Sequence, residues 1–402
     1  MDELSAAELA DRAGVSEREI ERMVDLGILS PQARSSSFRP ADVQLVHLAQ
    51  ACEEGGLPMK DIGTSVAAGH LSFSFLEAFW FRRFAPLAAI TLDDAARDAG
   101  VAPDILGRSL EAFGYPGKGP HDTLREDELQ VVRLIGPALS GGLVDETAIV
   151  RWGRAWSESL RRIATAEIEL YHNKFEMPLL NSGLSQGEAI SRAAGLSDRY
   201  SEPVEPAFLA AYRRQQELAT IEHQVGHIES ALEESGLYRR PKKPAAMCFL
   251  DLEGYTRLTE ELGDREAARL AETLAGVVER RTREHRGQPV KWLGDGVMCY
   301  FRDPASAVAA ALDMVGDAPR AGLPQAHVGV AAGPVVVQAG DYFGRTVNAA
   351  ARISDRARGG QVLVDEVVAE FPAPQGVVFR EVDYVELKGL LKPVRLFEAR
   401  RD

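Results

Sequence analysis

Six polar residues in the last two-fifths of the chain have the types and spacing to act on a nucleotide. Asp251 and Asp295 each stand at the end of a short apolar run, Lys291 precedes Asp295 by four residues, and Asp341, Asn348 and Arg352 share the segment GDYFGRTVNAAARI. Two isolated carboxylates suit a hard divalent cation. A lysine with a carboxylate can read the donor and acceptor pattern of a base edge. An asparagine and an arginine at i, i+4 share one helix face, where they can grip a ribose and a phosphate. Together these groups could close a nucleoside triphosphate into a ring. Each alone has a bland explanation, since Asp-Gly turns are common and a strand-end aspartate often just caps. Only the set as a whole points to that chemistry.

The elements that must position them are legible from periodicity. AAMCFLDL reads as a buried strand, residues 263–285 as a long amphipathic helix, and QPVKWLGDGVMCYF as a β-hairpin turning at Asp295-Gly296. A helix over 304–315, a strand over 327–331 and further strand and helix segments follow. This βαββαβ order predicts a ferredoxin-like palm, with both acids at one edge of the sheet.

The blocks FLDLEGYTRLTEELGD, VKWLGDGVMCYF and GDYFGRTVNAAARISDRA resemble, in order and at similar spacing, the three signature blocks of class III adenylyl/guanylyl cyclases, over about residues 240–402. The resemblance implies that Asp251, Asp295 and the main-chain carbonyl of Leu252 hold two Mg²⁺ or Mn²⁺ ions per site. One ion would lower the pKa of the ribose 3′-hydroxyl, and the other would hold the triphosphate and neutralise departing pyrophosphate. Lys291 and Asp341 look like the family's purine-selecting pair. A lysine donating to adenine N1 and a carboxylate accepting from the 6-amino group favour ATP, because guanine presents the opposite pattern there. Asn348 would orient the ribose, and Arg352 would stabilise charge developing on the α-phosphate. Arg356, one turn further, is a solvated arginine or a further phosphate contact. In the family the metal acids come from one subunit and the purine and Asn/Arg pairs from the other, so a homodimer would form two composite sites. Some positions depart from the family's pattern. Glu253 follows the metal strand, Trp292 stands beside Lys291, Arg345 occupies a place often acidic, and the arm over 333–344 looks short.

The 402 residues are enough for two or three domains. A net charge of −14 argues against a general nucleic-acid binder, whose face must be basic. Cys52, Cys248 and Cys299 have no metal-type spacing and suggest a reducing, cytoplasmic compartment. The N-terminus lacks the basic and apolar regions of a signal peptide, and Glu77, Arg82 and Arg83 interrupt the longest apolar stretch, 73–92, which argues against a membrane span. The six aromatics there (Phe73, Phe75, Phe79, Trp80, Phe81, Phe84) read as a buried connector or an apolar-ligand site.

A shift of 86 residues aligns LADRAGVS with AARDAGVA, FRPADVQLVHL with LREDELQVVRL, and GGL with GGL, which predicts two copies of a helix-turn-helix-like module. The first 60 or so residues resemble the DNA-binding domain of MerR-type regulators. Yet the would-be recognition helix SEREIERMVDL sets Arg18 and Arg22 among Glu17, Glu19, Glu21 and Asp25, with Arg34 and Arg39 in the possible wing as nearby help. Acidic excess is repulsive in a groove walled by phosphates, so protein contacts are the favoured use. Leu218, Ile221, Val225, Ile228 and Leu232 are spaced 3-4-3-4, the rhythm of a short coiled coil. His223 and His227, at i, i+4 on the same helix, could bind a metal, sense pH or simply be solvated. GLYRRPKKP then reads as a linker.

The expected class is α+β, an all-α N-terminal regulatory half followed by a ferredoxin-like catalytic domain. The expected boundaries are 1–63 for the first copy, 64–90 for the connector, 91–205 for the second copy and further helices, 206–240 for the linker helix, and 241–402 for the cyclase domain. The layout resembles autoinhibited mycobacterial-type cyclases. The rival expectation is a DNA-binding regulator whose cyclase-like domain senses nucleotide without turnover.

Overall fold

The computed structural model describes residues 3–32, 37–77, 84–237, 243–338, 340–386 and 393–402, without the side chains of residues 199, 200, 256, 259 and 264. Arg34, the connector residues Phe79, Trp80, Phe81, Arg82 and Arg83, and most of the GLYRRPKKP linker lie outside the described residues. The chain divides into two compact units, Met1–His223 and Gln224–Asp402. No described helix is long and apolar enough to cross a membrane.

In the first unit the duplication inferred from sequence recurs as structure. Helices α1 (Ala6–Ala13), α2 (Glu17–Asp25), α3 (Asp42–Glu54) and α4 (Met59–Ala67) form the first copy. The second comprises β1 (Leu87–Thr91), α5 (Leu92–Ala99), α6 (Pro103–Ala112), β2 (Thr123–Arg125), α7 (Glu126–Ser140) and the first turns of α8 (Glu146–Tyr171). Local chemistry repeats with the elements. Ser5 and Thr91 cap α1 and α5, and Gly14 and Gly100 end them in the left-handed conformation at φ +69° and +67°. A buried carboxylate accepts the amide three residues back in each copy, Asp42 from Arg39 and Glu128 from Arg125, both at 2.7 Å. Each copy is clipped by extended backbone, a Leu4–Phe38 bridge in one and the β1–β2 pair in the other, a small addition to the helical half expected from sequence.

Helices α9 (Met177–Asn181), α10 (Gln186–Ser201) and α11 (Val204–Glu234) follow. Helix α11 buries no residue, and all five positions of its 3-4-3-4 stripe are exposed. In α2, Arg22 is held by Glu19 and Glu53, which removes a cation from the helix that a groove would have to accept. Of the connector, Phe73 and Phe75 pack against the first copy's core, and Phe84 is exposed.

The second unit starts with β3 (Ala246–Leu252), α12 (Tyr255–Leu262), α13 (Asp264–Glu284), β4 (Gly287–Leu293), β5 (Gly296–Phe301), α14 (Pro304–Arg320) and β6 (Ala326–Ala332). Strands β6, β3, β5 and β4 lie side by side in that order with every neighbour antiparallel, which is the ferredoxin-like palm. A hairpin arm, β7 (Val336–Gln338) and β8 (Asp341–Phe343), leads into α15 (Arg345–Ser354). Then β9 (Val362–Asp365), α16 (Glu366–Ala369), β10 (Val377–Val385) and β11 (Val394–Arg401) extend the sheet beyond β6 in the order β10-β11-β9-β6.

The sheet has a core on each face. Cys248, Leu250 and Leu252 of β3 pack with α13 and α14, while Met247 and Phe249 pack with α15. This period-2 alternation assigns Asp251 to the α15 side. Helix α15 sits directly on β6 at Gly329, where an added Cβ would come within 2.1 Å of Ser354 N. That close approach fixes the helix carrying Asn348 and Arg352.

Candidate active site

Asp251 is the penultimate residue of β3 and is half-buried. Asp295 lies in the turn joining β4 to β5. The turn differs by one position from the sequence reading. Its two loop residues are Gly294 and Asp295, with Leu293 paired to Gly296, because Gly294 takes φ +70° and so supplies the positive-φ first position of a two-residue hairpin. Gly296 therefore opens β5 beside Asp251, where a Cβ would stand 3.3 Å from the Asp251 carboxylate and 3.1 Å from Leu250 O. Glycine keeps that carboxylate accessible.

Burial raises the Asp251 pKa, and the charge of Asp295 raises it further; His327 and the Leu252 amide oppose them, and Asp355 adds to the rise. A carboxyl whose ionisation burial and a neighbouring carboxylate oppose is one that a cation would relieve, so the donor set fits hard divalent metal. Leu252 has its side chain in the core, leaving its main chain as the group available to an ion. His327 was missed in the sequence. It is the register partner of Asp251 on β6, its Nε2 is 3.7 Å from Asp251 Oδ2, and its buried Nδ1 has no hydrogen-bond partner among the described residues. Cross-strand register is not written in local spacing.

Lys291 and Asp341 are brought together as expected, Lys291 Nζ donating to Asp341 Oδ2 at 2.8 Å. Burial alone would raise the Asp341 pKa, but Lys291 and the Tyr342 amide outweigh it and hold the carboxyl below the usual range. A bulge sets this geometry. Pro289 pairs with Cys299 and Lys291 with Met298, so Val290 is the extra residue. Val290 consequently packs on the α15 side and Trp292 on the α13/α14 side, with Lys291 free to reach the arm. Strand β4 is at the sheet edge, where a proline is tolerated.

Asn348 and Arg352 are both exposed on α15, whose other face buries Ala349, Ala350 and Ile353. Arg352 Nη1 donates to Asp355 Oδ2 at 2.9 Å. Among the described residues no hydrogen bond or ion pair joins Asp251 or Asp295 to Lys291, Asp341, Asn348 or Arg352. Arg345 and Arg356 are exposed. The Glu253 carboxylate lies against Gly359, where a Cβ would be 2.1 Å from Oε2. A separate group, Glu284, His285 and Asp313, has its potential ligand atoms within 4.8 Å of one another. Arg281 binds Glu284 at 2.6 Å and Arg401 binds Asp313, so this group is an ion-pair network fastening α13, α14 and β11.

The family described as adenylate and guanylate cyclase catalytic domain matches residues 237–397. An adenylate cyclase of Streptomyces coelicolor is 29% identical over 290 residues, 72% of this chain and 71% of that protein. A Mycobacterium tuberculosis protein named as a pH-sensitive adenylate cyclase is 35% identical over 167 residues, 40% of this chain and 41% of that one. Among solved structures, the adenylyl cyclase CyaB from P. aeruginosa is similar at 19% identity, covering 40% of this chain and 95% of that chain with a TM-score of 0.36.

Proposed function

We propose, from the match of residues 237–397 to the adenylate and guanylate cyclase catalytic domain family, that this chain converts ATP to 3′,5′-cyclic AMP and pyrophosphate. The ribose 3′-oxygen loses its proton and bonds to the α-phosphorus, and the bond from that phosphorus to the β-bridging oxygen breaks. The observation that carries the reading is a sheet holding Asp251 at the end of β3 beside the β4–β5 turn that carries Asp295, together with a preformed pair between Lys291 of β4 and Asp341 of the arm. Asp251, Asp295 and the Leu252 carbonyl would hold two Mg²⁺ or Mn²⁺ ions, which acidify a bound hydroxyl and neutralise phosphate charge.

The chain's own groups supply selection and orientation. Lys291 keeps donors to spare while bonded to Asp341, so the pair can meet adenine N1 and its 6-amino group without separating. Asn348 holds the ribose, and Arg352 meets charge that builds on the α-phosphate. Exchanging Lys291→Glu together with Asp341→Cys should cut kcat/KM for ATP by at least about tenfold and raise GTP use, read in parallel ATP and GTP assays. Unchanged purine preference would refute the pair's assignment.

The site is composite. The metal acids of one protomer face the purine pair, Asn348 and Arg352 of its partner. The exposed apolar residues Val336, Val337 and Phe343 of the arm, and the exposed stripe of α11, support association with a second copy.

The helical half restrains the catalytic dimer, with pH or an apolar ligand as its signal. The similarity to the Streptomyces coelicolor enzyme extends over more residues than the catalytic domain holds, which supports a conserved role for part of that half. Full-length protein should be slower than fragment 241–402 in cyclic AMP assays between about pH 5.5 and about pH 8, the window in which histidine titrates. Equal rates throughout would remove restraint from the account. The DNA-binding alternative predicts salt-sensitive duplex binding through the first copy, against which the Glu19 and Glu53 contacts of Arg22 weigh.

A further inference from the structure

Tyr342 follows Asp341 on the arm, and nothing in its sequence position marks it as functional. Its ring stacks on Tyr300 of β5, with centroids 4.7 Å apart and planes 30° from parallel. Gln288 Nε2 of β4 donates to its hydroxyl at 3.2 Å. Its own amide donates to Asp341 Oδ1 at 2.8 Å. The arm is a two-stranded hairpin outside the main sheet, so the sheet's hydrogen-bond ladder does not fix its position. The ring stack on β5 and the hydroxyl bond to β4 join the arm to the palm where the ladder does not. Tyr342 and Tyr300 also pack with the core on the α15 side, which ties the arm to the face on which α15 rests.

We infer that Tyr342 is a positioning residue for purine selection, registering the arm on the palm so that Asp341 meets Lys291. This rests on the reading of Lys291 and Asp341 as the purine-selecting pair. The physical reasoning is that a two-stranded hairpin is marginal by itself and takes its geometry from what it packs on. An aromatic stack contributes beyond its buried area, and a neutral side-chain hydrogen bond adds modestly. Loss of the ring frees the hairpin to slide or tilt on the sheet. Asp341 then leaves Lys291, and the donor–acceptor pattern that distinguishes adenine from guanine blurs while the metal acids stay in place.

The stack and the hydroxyl bond make separable predictions. In the full-length chain, Tyr342→Phe keeps the ring and loses the Gln288 bond, so it should hold the parent ratio of kcat/KM for ATP over GTP within about threefold. Gln288→Ala should match it. Tyr342→Ala should raise KM for ATP more than it lowers kcat, and should cut the ATP-over-GTP ratio by about tenfold or more. A purely structural role would lower kcat for both nucleotides alike and leave their ratio untouched. An unchanged ratio in Tyr342→Ala, or a loss in Tyr342→Phe equal to that in Tyr342→Ala, overturns the inference. The Lys291→Glu, Asp341→Cys exchange separates the two levels. If that exchange alters purine preference while Tyr342→Ala does not, the positioning role fails and the purine pair stands. If neither does, the purine assignment itself fails.

Discussion

Asp251→Ala and Asn348→Ala should each abolish cyclic AMP formation, and mixing the two inactive proteins should restore it. The physical ground is the division of labour within one symmetric pair. Asp251 sits at the end of β3 beside the β4–β5 turn, whereas Asn348 stands exposed on α15, and among the described residues no hydrogen bond joins the two. A homodimer of either variant has two broken sites, each lacking one half. A heterodimer collects both lesions in one site and leaves the other whole. Random exchange makes half the dimers mixed, each with one working site, so recovery should approach about a quarter of the parent rate. Recovery on this scale cannot come from either variant acting alone. Failure to recover, with subunit exchange verified by differently tagged chains, would place the complete site within a single chain.

Arg352→Ala should lose about a hundredfold to a thousandfold in kcat with little change in KM for ATP, in steady-state assays at saturating Mn²⁺. Charge on the α-phosphate grows as the ring closes, so an arginine meeting that charge contributes mainly in the transition state. Arg352 is anchored through its helix, whose buried Ala349, Ala350 and Ile353 hold the backbone while the side chain stays exposed. Its ion pair with Asp355 is exposed and contributes little, so substrate can displace it at small cost. Arg352→Lys should recover only part of the loss, because a lysine lacks the planar fork that spans two phosphate oxygens. A larger effect on KM than on kcat would reassign Arg352 to ground-state binding.

How much of this was visible in the sequence depends on the range over which each feature is specified. The palm was legible because β3, the β4–β5 hairpin, α14 and β6 each carry their own periodicity, and the antiparallel order follows from the short hairpin and the helical crossovers. The 86-residue duplication was legible because its caps and buried carboxylates are local signatures, Ser5 with Glu8 and Thr91 with Asp94 among them. Lys291, Asp341, Asp251 and Asp295 stand out in the sequence by type and spacing. Features fixed by cross-strand register could not. His327 faces Asp251 through pairing of distant segments, and Tyr342 meets Tyr300 across a gap of 42 residues in the chain. The bulge at Val290 was hidden for the same reason, since an extra residue shows only when the partner strand is laid beside it. The hairpin turn moved by one position because Gly294 and Gly296 flank Asp295, and only the backbone shows which glycine takes the positive φ.

The most direct test is cyclic AMP production from ATP by the purified full-length chain with Mn²⁺, measured beside Asp295→Ala. Asp295 lies in a two-residue turn outside both core clusters of the sheet, so the substitution should leave the fold intact. The account predicts measurable turnover in the parent chain, increased on removal of residues 1–240, and loss of at least about a hundredfold in the variant. Turnover that persists in Asp295→Ala, or its absence from both the full-length chain and the 241–402 fragment, would contradict it.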